Sequence, residues 1–259
     1  IDGVATDVSS MSFSRDGLTL YVLSLGEGGD VYAFYPCLPS KLKIGKKEVD
    51  FLMSKSLIQY DSLDVETAAE TKTNTIKQLH FVAAIRKKAI NFSCNERFVT
   101  EISEERRQIR GQGPFTIAPF PEKLYDYTFQ EIAVLPVGED VELVLVTLDN
   151  GTVAILFNDL ELTMNWDSIN YNHHNSFVLL ETIKIEEPGK IMTCDGQLGQ
   201  FAIFSNTKTY FIDTKKWSEK MVNGIKNSDL RLVIEMDIES DITVIDSLPH
   251  ANTVSFWKS

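Results

Sequence analysis

Short runs of apolar, β-forming residues bounded by turn signals recur along the chain, which predicts strands. Residues 4–36 run strand, turn, strand, turn, strand. Residues 8–13 alternate, Arg15-Asp-Gly17 turns, and 18–25 is rich in β-formers. Gly26-Glu-Gly-Gly-Asp30 turns again, and 31–35 closes at Pro36. Asp-Gly and Gly-Gly between apolar runs signal hairpins, because such residues adopt the backbone angles that tight turns between twisted strands require. The same grammar returns at 132–137, 141–148 and 152–157, around the turn Asp149-Asn-Gly151. It recurs at 191–194, 200–205 and 209–213, and a fourth time at 242–248 with 253–257. The apolar run 176–185 adds one more strand.

Insertions break this pattern. Between 46 and 63, Phe51, Leu52, Ser54 to Ile58 and Leu63 keep a loose helical spacing. Between 75 and 90, Ile76, Leu79, Val82, Ala83 and Ile85 form the i, i+3, i+4 stripe of an amphipathic helix. A charged, helical-looking stretch follows at 101–110, centred on Glu104-Glu-Arg-Arg107. A last helix is expected at 215–227, where Met221 and Ile225 lie four apart and share a face. The stretch Gly113 to Tyr127 reads differently, with three prolines, two phenylalanines and two tyrosines in fifteen residues. Proline fixes φ and removes a donor, so an extended loop is expected, presenting its aromatics either to the core or to a partner.

Recurring local meanders predict an all-β fold, better suited to the blades of a β-propeller than to a sandwich. No Gly-His pair marks the blades, Trp-Asp occurs once at Trp166-Asp167, and a sandwich also fits the pattern. The segments are blade-like at 4–36, 129–185, 188–213 and 229–259, helical insertions at 46–112 and 215–227, and a partner-facing loop at 113–127.

Composition narrows the function. With 43% apolar and 24% charged residues, the chain has the composition of a globular domain with an ample core. The net charge of −12 repels phosphate backbones and anionic lipid, so direct nucleic-acid and membrane binding are disfavoured and basic protein partners favoured. No apolar run approaches the roughly 20 residues needed to span a bilayer. Cys37, Cys94 and Cys194 are widely separated and odd in number, which predicts reduced thiols in a cytosolic or nuclear compartment. The Ile-Asp-Gly start, without an initiator Met, reads as part of a longer polypeptide.

Catalytic signals are poor. His173 and His174 sit in an Asn-rich loop, where adjacent side chains do not converge as a zinc site requires. No nucleophile elbow, phosphate-binding glycine loop, His-Glu-x-x-His or Cys-x-x-Cys occurs, so neither an enzyme nor a metal or other cofactor is expected. A propeller hydrolase or lectin would need acidic or histidine side chains converging on a channel, and an RNA-binding propeller would need the opposite charge. Protein-binding surface remains. Asp30 is either a turn residue or an exposed carboxylate for a basic side chain. Phe120, Leu124 and Tyr125 either cover the core or face a partner. Met221, Ile225 and Leu230 either dock a helix on its own domain or line a groove.

Long strings then identify a family. Phe13-Ser-Arg-Asp-Gly-Leu-Thr-Leu-Tyr21, Gly28-Gly-Asp-Val-Tyr-Ala-Phe-Tyr-Pro36 and Gly113-Pro-Phe-Thr-Ile-Ala-Pro-Phe-Pro121 resemble the fungal nucleoporin eighty-two family, the counterpart of vertebrate nucleoporin eighty-eight. Leu124-Tyr-Asp-Tyr-Thr128 and Phe157-Asn-Asp-Leu-Glu-Leu-Thr-Met-Asn-Trp-Asp167 carry the same resemblance. It implies a WD40-like propeller, seven-bladed in the intact family domain, with about four later blades here and helical insertions. It implies a non-enzymatic scaffold on the cytoplasmic face of the nuclear pore complex that supports mRNA export. The implied partners are the C-terminal domain of a ninety-eight-class nucleoporin (nucleoporin one-sixteen) and the C-terminal helical tail of nucleoporin one-fifty-nine. Residue by residue, Asp30, Phe120 and Tyr125 match the pocket for the globular partner. Met221, Ile225 and Leu230 match the groove for the tail, with Met standing at 221 where a leucine is expected.

Overall fold

The computed structural model describes residues 7–15, 17–24, 30–119, 121–137, 141–158, 162–166, 176–195, 199–226 and 243–249. In chain order the elements are β1 (Val8–Phe13), β2 (Leu20–Ser24), β3 (Val31–Phe34), β4 (Lys41–Gly45), α1 (Lys46–Asp61), α2 (Ala69–Ala89), β5 (Arg97–Glu101), α3 (Glu104–Arg107), β6 (Gly111–Ala118), β7 (Phe129–Val137), β8 (Val141–Leu148), β9 (Thr152–Phe157), β10 (Ser176–Lys184), β11 (Gly189–Asp195), β12 (Gln200–Ser205), β13 (Lys208–Asp213), α4 (Lys215–Lys226) and β14 (Thr243–Pro249). The protein is mostly β, with a few helices. It divides into two compact units, one built from Ala33–Gln112 and Glu161–Asn172, the other from the β-rich remainder.

In the β-rich unit, eight strands form one sheet in the order β1-β2-β3-β6-β10-β9-β8-β7. β7, β8, β9 and β10 are an antiparallel meander whose turns are written in the sequence. Gly151 has φ +82°, and a side chain there would sit 2.8 Å from the Ile185 carbonyl oxygen, so glycine is required. Asn150 Oδ1 accepts the Thr152 N–H at 2.8 Å and fixes that turn. β8 is buried almost throughout, which explains its continuous apolar run in place of alternation. Leu135, Leu143, Leu145, Ile155, Phe201, Ile203 and Trp217 are fully buried in a core that joins both sheets of this unit.

The strand assignment departs from expectation in two places. The four-stranded sheet runs β11-β12-β13-β14, so the stretch expected to begin a further blade at 242–248 instead pairs with β13. The stretch expected to be a loop from Gly113 begins as a strand, because β6 extends to Ala118 and lies inside the eight-stranded sheet. Its parallel pairing with β10 involves Thr116 to Ala118, between Pro114 and Pro119, so neither proline has to donate to that ladder.

The other unit is organised by helices. β4 and β5 pair antiparallel, burying Leu42, Ile44 and Phe98 and exposing Lys41, Lys43 and Arg97. Glu48 accepts the Gly45 N–H at 2.8 Å, which satisfies one donor at the start of α1. The same carboxylate meets Arg97 at 2.6 Å. α2 buries Asn74, Thr75, Gln78, Val82, Ile85 and Ala89. Ile76, expected on that stripe, is exposed, as are Phe51 and Ile58 on α1. The charged run at 101–110 is helical only over the four residues of α3.

Candidate partner-docking surface

Asp30 stands at the end of the glycine-rich turn, immediately before β3. Its backbone carbonyl accepts the Ser24 N–H at 2.9 Å and the Ser24 hydroxyl at 3.2 Å, closing the hairpin across residues 25–29. Val31, next in the chain, is fully buried, while Asp30 is exposed. The carboxylate is thus held at the surface by a rigid root. A side chain on Gly113 would lie 2.9 Å from the Val31 carbonyl oxygen, and Gly113 has φ +120°. β6 therefore starts against the strand that carries Asp30, and only glycine fits there.

From that start, Phe115 points inward, packing edge-on to Phe177 with ring centroids 6.2 Å apart. Pro114 is exposed, and Ile117 is half-buried. Beyond Ala118 a single 3₁₀ turn, Glu122–Leu124, is pinned by Leu124, which is 4% exposed. Tyr125 caps this turn through its N–H to the Glu122 carbonyl at 3.1 Å and is 56% exposed. Leu124 covers the core, as one of the two readings required, and Tyr125 faces outward. Phe120 lies outside the described residues. β3, which follows Asp30, and β6, which opens the 113–127 segment, are neighbours in the sheet.

The second candidate set centres on α4. Thr214 Oγ1 donates to the Gly199 carbonyl at 2.8 Å and lies 3.1 Å from Ser218 Oγ, tying the start of the helix to the β11–β12 turn. Gly199 has φ +63° and packs against Lys215. Trp217 and Met221 are fully buried, with Val222 against the same core. Met221 therefore lies in the seam that docks α4 on its own unit, the first of the two readings its position allowed. A thioether at this point fills volume between sheet and helix. Ile225 lies one turn further along α4; its side chain and Leu230 lie outside the described residues.

Two carboxylates show how burial sets charge in this unit. Glu131 on β7 accepts the Ile191 N–H at 2.9 Å, bridging β7 to β11. Burial pushes its carboxyl above the usual range, against the opposing pull of that hydrogen bond and of Lys190. Glu187 is solvated, and the Ser205 and Thr207 hydroxyls hold its carboxyl below the usual range. Among the described residues, no group of three or more His, Cys, Asp and Glu side chains could hold a metal ion.

One feature has no apolar signature in the sequence. Residues 162–166 form an extended segment held by buried side-chain amides from α1, α2 and β6: Gln59, Asn74, Gln78 and Gln112. The Gln-Asn pair at 74 and 78, four apart on α2, was the available signal.

No family model matches the chain. Over 257 residues, 96% of the chain, it is 39% identical to Nucleoporin NUP82 of Saccharomyces cerevisiae, and it spans 35% of that protein's length. A chain in the structure of the yeast heterotrimeric Nup82-Nup159-Nup116 nucleoporin complex superposes with TM-score 0.80 at 35% identity, over 96% of this chain and 55% of that one. A chain in the crystal structure of the Chaetomium thermophilum heterotrimeric Nup82 NTD-Nup159 TAIL-Nup145N APD complex gives TM-score 0.72 over 95% of this chain and 53% of that one. Its 15% identity makes it a likeness of fold alone.

Proposed function

The chain belongs to the Nup82 family of nucleoporins, and from that premise we propose that it is a non-enzymatic docking scaffold of the nuclear pore complex. The observation that carries this reading is 39% identity along 96% of the chain, joined to a TM-score of 0.80 against a chain solved in complex with Nup159 and Nup116. The chain spans about a third of the curated relative, so the relative's assemblies pass to it as a proposal. On this reading it works at the cytoplasmic face of the pore in support of mRNA export. It holds a Nup116-type globular domain and a Nup159-type helical tail. The sheets are blades of a WD40-like propeller, about four of the seven in the intact family domain.

The chemistry at the first site suits a lysine. A rigidly rooted, exposed carboxylate at Asp30 takes an ammonium group, while aromatic walls at Tyr125 and Phe120 receive the alkyl stem. Such a charge-assisted contact contributes about 1.5–3 kcal/mol when desolvated. At the second site Met221 supports the seat of α4 from beneath, leaving Ile225 and Leu230 to meet the tail. Titration of the two partner fragments against Ile225→Glu tests whether the sites are separate. The expected outcome is loss of the tail with the globular domain still bound. Retention of both, or loss of both with the fold intact, would overturn the site assignment.

A further inference from the structure

We propose that the α1–α2 insertion is a peptide-binding module, occupied in this structure by the chain's own segment Leu162-Thr-Met-Asn-Trp166. This segment belongs to no sheet, yet its main-chain polar groups from the Leu162 carbonyl to the Asn165 carbonyl are all engaged. Gln59 Nε2 donates to the Leu162 carbonyl at 3.2 Å. Gln112 grips Thr163 in both directions, donating to its carbonyl at 2.7 Å and accepting its N–H at 3.2 Å. Gln78 Oε1 accepts the Met164 N–H at 2.8 Å, and Asn74 Nδ2 donates to the Met164 carbonyl at 2.7 Å. The Tyr35 carbonyl accepts the Asn165 N–H at 3.2 Å, and the Arg110 N–H donates to the Asn165 carbonyl at 3.0 Å.

Five of these seven bonds come from side-chain amides, which do for this segment what a neighbouring strand does in a sheet. The amides are themselves braced, since Gln78 Nε2 donates to Ser56 Oγ at 3.0 Å and to Gln59 Oε1 at 2.5 Å. Asn74, Gln78 and Gln112 are at most 2% exposed. Without an extended backbone to meet them, buried amides of this kind lose their partners, a cost that makes the groove selective for an occupant. Main-chain recognition alone would accept many sequences. Side-chain selection comes from Leu162 and Met164, both nearly fully buried, and from Trp166. The indole of Trp166 donates to the Arg106 carbonyl at 2.9 Å and lies edge-on to Phe81 at 5.4 Å, with the Arg106 guanidinium 4.6 Å from its ring centroid. The ligand class is an extended peptide of pattern Leu-x-Met-x-Trp.

The test replaces residues 162–166 by a Gly-Ser linker in the full chain and titrates it with a fluorescein-labelled peptide of residues 160–168. Saturable one-to-one binding is expected, weakened about tenfold or more by Gln78→Ala, with no binding of a scrambled peptide and none to the unaltered chain. Absence of binding to a chain that keeps its helical circular dichroism, or equal binding of the scrambled peptide, would overturn the proposal. Should the linker variant fail to fold, hydrogen exchange on the intact chain decides. Gln78→Ala should speed exchange about tenfold at the Thr163, Met164 and Asn165 amides while the β7–β9 amides stay protected. Unchanged exchange at 163–165, or equal acceleration in the sheets, would count against it.

Discussion

The two units bury their interiors by different chemistry. In the β-rich unit the core is aliphatic and aromatic: Leu143, Leu145, Ile155, Phe201 and Trp217 are fully buried, and β8 is apolar on both faces. In the helical unit Asn74, Gln78, Thr75 and Ser56 take positions that elsewhere hold leucine. Charge divides the same way. Residues 33–112 carry fourteen basic against ten acidic side chains, in a chain whose total is 25 against 37. The difference teaches that one chain can hold one unit by non-directional burial and another by apolar burial (Leu42, Ile44, Val82, Ile85 and Phe98) joined to directional hydrogen bonds. The first tolerates shape-conserving change, while the second depends on each partner being present.

The most damaging way to break the contrast lies in the apolar unit. Trp217→Ala removes a fully buried indole between α4 and the sheets and should cost about 3–5 kcal/mol. Chemical denaturation followed by far-ultraviolet circular dichroism measures this. The amides of α2 should meanwhile exchange no faster until the whole chain unfolds. A smaller loss is expected in the polar unit. Gln78→Ala leaves the Met164 N–H and the Ser56 hydroxyl short of partners and should cost about 1–3 kcal/mol. Gln78→Met, which keeps the volume and drops the amide, should recover little of it. Full recovery by methionine would mean that volume, not hydrogen bonding, holds this unit.

The mildest test concerns Glu131, a half-buried carboxylate that burial keeps protonated to higher pH. Glu131 keeps its proton to higher pH in the folded chain than in the unfolded one. The folded state therefore binds more protons through the interval just above the ordinary carboxylate range, and stability declines as pH rises across it. Glu131→Gln keeps an acceptor for the Ile191 N–H and removes the charge. It should be more stable than the parent chain at neutral pH and lack that decline. Denaturation midpoints across pH 4 to 8 show the difference, and parallel curves for the two proteins would refute it.

How much was legible follows the same division. The turns around Gly17 and Gly151 and the strands from β7 to β10 were readable, because short apolar runs and φ-specific glycines act locally. The helix over 215–227 was also readable, since α4 buries Trp217 and Met221 four apart. β6 was missed because its prolines argued against a strand, and only the three-residue pairing between them shows why they are tolerated. In α2 the apolar stripe located Val82 and Ile85, yet the first half of the buried face is Asn74, Thr75 and Gln78. Hydrophobic periodicity cannot register polar residues whose burial depends on a segment some ninety positions away. At the candidate site the residues left two readings open for Asp30 and for Tyr125, and both side chains are exposed. Met221 was apolar in either reading, and only its burial separated seam from groove.

Binding of a Nup116-type globular domain to the chain and to its Asp30→Ala variant, by isothermal titration at two salt concentrations, tests the central claim most directly. The account predicts binding by the parent chain, weakened by about 1.5–3 kcal/mol in the variant, with the parent alone losing affinity steeply as salt rises. Equal affinities for parent and variant, or no binding by a folded parent chain, would contradict it.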